Sequence, residues 1–137
     1  MQTFIINQSF RKTAKILDNK RLGKQRVEAY QILKALSDSS YGWQNHPAVK
    51  MWRGYENALV YYCYCICEEW LRRGYKDTVA LKSFRYFDFS KDIVKPMWLN
   101  NKFIKSHQSN LLRKDFKYYS RFFKNVPATL EYVWPVK

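Results

Sequence analysis

The run of residues 18–36, DNKRLGKQRVEAYQILKAL, holds one carboxylate in its interior, Glu28, among Lys20, Arg21, Lys24, Arg26 and Lys34. A lone acid in so basic a helix has two chemical meanings. It can be half of a surface ion pair with Lys24 one turn away, worth about 0.2–0.5 kcal/mol. It can also be a carboxylate kept for proton transfer, or for stabilising a developing cation, beside phosphates that the neighbouring cations hold. Spacing by itself leaves both open.

A second candidate lies near the C-terminus. Arg113, Lys114, Lys117, Arg121 and Lys124 interleave with Phe116, Tyr118, Tyr119, Phe122 and Phe123. Cations neutralise phosphates while rings stack on exposed bases, so this composition suits nucleic acid. The competing reading makes Leu111, Leu112, Tyr119 and Phe122 a core stripe with a solvated basic face opposite. The two histidines, His46 and His107, both fall at expected helix starts, where phosphates dock on free N–H groups. Either can equally be structural. Cys63, Cys65 and Cys67 alternate along one helix, a poor arrangement for zinc, and read as buried reduced thiols. No nucleophile triad, glycine-rich phosphate loop or metal-ligand spacing is present.

The whole composition points the same way. The 137 residues carry 25 basic and 11 acidic side chains, a formal charge of +14, with 47% hydrophobic residues and 11 tyrosines. Such a chain folds by itself but repels itself, and an anionic partner is the natural reason to keep the charge. Nucleic acid leads, ahead of an anionic membrane surface or an acidic protein. No stretch reaches the roughly 18 apolar residues of a membrane span, and the N-terminus has no signal-like apolar run. An intracellular protein without metal or cofactor is expected.

The elements that must position these groups follow from periodicity. Ser9 is placed to cap a helix running to about Leu36, with Leu22, Ala29, Leu33 and Leu36 on its core face and Arg21, Lys24, Glu28 and Gln31 on another. Gly23 marks a break or a close approach. Asn45 and Pro47 predict a second helix over 47–73 that stops at Gly74, apolar all round in its middle and hence central. The segment 75–98 is irregular and aromatic, with a strand or hairpin expected in 83–89. A third helix is expected over 106–123, followed by an extended tail, 125–137, with Tyr132 and Trp134 packing back. Residues 1–137 thus read as one all-α domain of three main helices. The apolar start, Phe4-Ile5-Ile6, can bury itself and so deliver the N-terminus to a fixed place. Gln2 is bulky, so Met1 is expected to be kept. A terminal amine has a reference pKa of about 7.7–8.0, far below that of lysine.

Several stretches in this order resemble one family. They are Leu17-Asp18-x-Lys20-x-Leu22 followed by Glu28, then Gly42-Trp43-x-Asn45-His46-Pro47. Next come Glu68 and Glu69 leading to Arg73-Gly74-Tyr75-Lys76-Asp77-Thr78, then Ser106-His107-x-Ser109-Asn110-Leu111-Leu112-Arg113-Lys114 with Tyr118-Tyr119 after it. Together they are similar to the pyrimidine-dimer DNA glycosylases of the phage endonuclease V type. The resemblance implies an all-α fold and action on damaged double-stranded DNA, with base release followed by strand cleavage at the abasic site. It implies a terminal amine as nucleophile, here that of Met1, and Glu28 as the carboxylate. It places Arg21, Lys24, Arg26, Arg113, Lys114 and Lys117 on phosphates, with His46, His107, Tyr118 and Tyr119 as further DNA contacts. A monomer without an obligate protein partner is expected. Gln2 stands where the phage enzyme exposes a small residue, and Val27 where it has an arginine. The resemblance therefore carries DNA binding further than the identity of the base. A relative that keeps the DNA-binding surface and has lost the chemistry is the alternative.

Overall fold

The computed structural model describes residues 1–136; Lys137, the end of the expected tail, lies outside them. The fold is all-α, and no strand occurs among the described residues. Its helices are α1 (Phe10–Ile16), α2 (Asn19–Ser37), α3 (Pro47–Lys50), α4 (Glu56–Arg72), α5 (Ala80–Phe84), α6 (Asn101–Lys114) and α7 (Phe116–Tyr119). The three long ones correspond to the three expected main helices.

Each expected long helix is nevertheless interrupted or shifted, for a local reason. The Ser9 hydroxyl caps α1 by accepting the Lys12 N–H at 3.2 Å. The helix stops at Leu17, whose ψ of 136° is extended. Groups remote in sequence take up its last carbonyls: Arg73 donates to Ala14 and Lys15 at 3.2 and 3.1 Å, and the Tyr118 hydroxyl to Ile16 at 2.7 Å. With the C-terminal carbonyls satisfied from outside, nothing requires the helix to continue. Asp18 then opens α2, its N–H donating to the Tyr119 hydroxyl at 3.0 Å.

The expected 47–73 helix is α3 and α4, separated by a turn in which Gly54 takes φ +90°. His46, not Asn45, caps α3 through Nδ1, which accepts the Ala48 N–H at 3.0 Å. At its other end α4 closes as expected. Gly74 sits at φ +94°, and the Gly74 and Tyr75 N–H groups return to the carbonyls of Leu71 and Trp70, satisfying the last turn. Residues 83–89 form the end of α5 and turns, not a hairpin. Asn57 pins that loop, donating to the Asp88 and Lys91 carbonyls at 2.9 and 3.0 Å. The third helix begins earlier than residue 106, because Asn100 caps α6 by accepting the Phe103 N–H. It ends at Asp115, which caps α7 by accepting the Tyr118 N–H.

The core lies where α2 packs on α4, and α1 also packs on α4. Leu22, Ala29 and Leu33 are buried as the stripe requires, while Leu36 is only half-buried. Gly23 is a close approach and not a break: a Cβ there would lie 2.8 Å from the Trp70 ring. Trp70 in turn stacks on Tyr75, centroids 4.1 Å apart.

Candidate active site

The N-terminal arm runs through the interior outside regular secondary structure, and Gln2, Thr3, Phe4, Ile5 and Ile6 are all buried. A segment without a partner strand needs another source of hydrogen bonds, and side chains from four helices supply it, beginning with Thr13 of α1, which accepts the Ile6 N–H at 3.3 Å. Gln25 of α2 accepts the Phe4 N–H and donates to the Gln2 carbonyl, both at 2.9 Å. The Tyr62 hydroxyl of α4 lies 2.8 Å from the Phe4 carbonyl and 2.7 Å from Gln25 Oε1. From α6, His107 Nδ1 accepts the Ile5 N–H at 3.3 Å and Gln108 donates to the Ile6 carbonyl at 2.9 Å. The indole N–H of Trp52 donates to the Thr3 hydroxyl at 3.1 Å.

The arm ends at Glu28. The Gln2 N–H donates to Glu28 Oε2 at 3.2 Å, and Gln25 Nε2 donates to the same oxygen at 3.1 Å. Oε1 faces the Lys24 ammonium, 4.0 Å off and itself 71% exposed, whereas the Glu28 side chain is 14% exposed. Glu28 is therefore no exposed partner in a surface ion pair. It is a covered carboxylate with one oxygen fixed by the arm and one oxygen less committed. A group charged in water is held in such a place by its donors.

A row of aromatic rings links the turn before α3 to the tail. His46 lies edge-on between Trp43 and Trp134, centroids 5.7 and 6.0 Å away, and Trp134 continues to Tyr132 at 6.0 Å. Burial pushes the His46 imidazole below its ordinary range. The charge of the terminal amine adds to the fall and that of Glu28 opposes it. His46 thus feels both groups. Trp43 is 57% exposed and has φ +71°, a left-handed conformation that costs a side-chain-bearing residue about 1–2 kcal/mol.

A model of the family described as pyrimidine dimer DNA glycosylase matches residues 1–83. The chain belongs to that family. The matched stretch contains the arm, Gln25, Glu28, Trp43 and His46. Helices α6 and α7 and the tail with Tyr132 and Trp134 lie beyond it. No curated protein and no solved structure gives a match.

The other residues singled out in the sequence divide sharply. Lys24, Lys114 and Lys117 are exposed. Arg21 is half-buried with its guanidinium 3.3 Å from Asp18. Four others have structural work, and burial takes two of them, His107 and Tyr119, out of reach of DNA, while Arg113 is exposed. His107 is 1% exposed and burial lowers its pKa to about 3; it is a neutral acceptor for the arm. Tyr119 is fully enclosed, its hydroxyl bonded to the Asp18 carboxylate. Arg26 is ion-paired with Asp77 and lies over the Trp70 ring at 4.6 Å. Arg113 fastens the tail by donating to the Ala128 and Leu130 carbonyls at 2.8 and 2.7 Å. Tyr118 is half-buried with its hydroxyl on Ile16, as above. The three cysteines are free and buried, and no grouping of His, Cys, Asp and Glu among the described residues could hold a metal ion.

Gln25, which holds both the arm and Glu28, is the residue of this candidate site that sequence reasoning passed over. The signal was there: a polar residue on the core side of α2, 1% exposed in the fold, between Leu22 and Ala29.

Proposed function

We propose that the protein is a DNA glycosylase with an associated abasic-site lyase activity. In this reading the α-amine of Met1 is the nucleophile and Glu28 the carboxylate beside it. It acts as a monomer on damaged double-stranded DNA, pyrimidine dimers being the lesion the family suggests, through one domain and without metal or cofactor.

The observation that carries this reading is the bond from the Gln2 N–H to Glu28 Oε2 at 3.2 Å. It brings the first amide of the arm to the one carboxylate of α2, and in this reading the amine of the preceding residue acts beside that carboxylate. A terminal amine deprotonates near neutral pH far more readily than a lysine, so it is the better nucleophile in a cationic site. It attacks C1′ of the deoxyribose as the base departs with the electron pair of the glycosidic bond. Ring opening and loss of the amine proton leave an imine at C1′. Removal of a C2′ proton then expels the 3′ phosphate. Glu28 serves both stages, as an anion against the cationic sugar and as a proton carrier through Oε1. Lys24, Lys114 and Lys117, exposed lysines whose side chains are not spent on the tail, are assigned to phosphates.

Borohydride trapping on a duplex with a natural abasic site tests the imine. A covalent adduct is expected, with peptide mapping placing it on the N-terminal residue. No adduct, or one that survives prior reductive methylation of the terminus, overturns the mechanism.

A further inference from the structure

The reading above leaves Trp43 without a role. Among the described residues it is the one non-glycine with positive φ, at +71°, and its indole is 57% exposed. Both features cost stability, the first by crowding Cβ against the backbone and the second by leaving a large apolar surface in water. Among the described residues its aromatic contact is the edge of His46, at 5.7 Å.

The turn that carries the indole is stiff. The His46 N–H donates to the Trp43 carbonyl at 3.0 Å, His46 caps α3 through Nδ1, and Pro47 follows with a fixed φ. The ring is thus held out at one place, beside the histidine whose titration responds to both the terminal amine and Glu28. A strained, exposed aromatic on a stiff turn is a candidate for contact with a ligand. DNA offers a matching surface only where it is opened, because a paired base hides its π-face inside the stack and an unpaired one presents it.

We propose that Trp43 stacks on a base left unpaired at the damaged or abasic position, and so sets the preference of the protein for such sites over intact duplex. The proposal rests on the glycosylase and lyase reading and adds to it how an opened position is told from an intact one.

Anisotropy measures binding of the full chain to two labelled duplexes that differ only in a single tetrahydrofuran residue, an abasic analogue that cannot form an imine. Wild type is expected to prefer the abasic duplex. Trp43→Ala should weaken that binding about 10- to 100-fold and change intact-duplex binding by less than about threefold, while Trp43→Phe keeps most of the preference. Trp43→Gly accepts the backbone conformation, so it should melt close to wild type and still lose the preference. That separates a lost contact from lost folding. Alanine and glycine variants that discriminate as wild type does overturn the stacking role alone. Equal weakening on both duplexes also overturns it, since the ring would then serve general binding. A wild-type protein that binds both duplexes equally overturns the underlying reading together with it.

Discussion

At the scale of single residues, the covered carboxylate and the buried histidine carry the sharpest expectations. Glu28→Gln keeps an oxygen for the Gln2 N–H and removes the charge. DNA affinity should change little while cleavage of an abasic duplex falls by roughly 10²–10⁴-fold, as read on a denaturing gel under single-turnover conditions. Unaltered cleavage would remove Glu28 from the chemistry. His107 governs acid stability instead. Its folded pKa of about 3 lies below the ordinary 6.5, so the unfolded chain binds a proton that the fold refuses. Its contribution is complete above about pH 6.5 and is lost as pH falls toward 3, at about 1.4 kcal/mol per pH unit. His107→Asn retains an acceptor for the Ile5 N–H and does not titrate. The stability gap between wild type and this variant in urea melts should therefore narrow steadily as pH drops from 6.5 to 4.

At the scale of elements, what matters is how closely α2 approaches α4 and how the arm threads between them. Gly23 permits that approach: a methyl group added there meets the Trp70 ring at 2.8 Å. Helix propensity alone favours Gly23→Ala by about 1 kcal/mol. The collision should outweigh it, giving a net destabilisation of about 1–2 kcal/mol. Thermal melting settles the sign, and a stabilised variant would mean that Trp70 moves aside freely. Arg26→Ala tests a neighbouring joint. It strands Asp77, whose side chain is 3% exposed, and should cost about 3 kcal/mol.

For the whole molecule, a formal charge of +14 makes DNA binding a counterion-release process. The logarithm of affinity should fall linearly with that of salt, with a slope near −0.9 for each phosphate neutralised. Alanine at Lys24, Lys114 or Lys117, three exposed lysines, should reduce that slope by about one each. Arg113→Ala should leave the slope nearly unchanged while loosening the tail, because its donors are spent on the Ala128 and Leu130 carbonyls. Equal slope changes for all four would show that the tail contacts give way on DNA.

The all-α class, the three long helices, the central burial of α4 and its stop at Gly74 were legible in the sequence, because periodicity, capping and turn residues act over a few positions. Glu28 was legible as an acid among cations, but not as a covered one. The breaks at Leu17 and Asp115 and the displaced start of α6 were harder to read; the first depends on Arg73 and Tyr118, remote in sequence from the carbonyls they satisfy. Burial separated Lys24 from Arg26 and Lys117 from Tyr119, since neighbours of like chemistry on a helix are sorted by what packs against each face. Residue order by itself determined a basic helix with a solitary carboxylate and an apolar N-terminus able to bury itself. Only the tertiary structure brought the two together. A segment without a partner strand must find its hydrogen bonds somewhere, and here Thr13, Gln25, Tyr62, His107 and Gln108, on four helices, hold the arm until its first amide reaches Glu28.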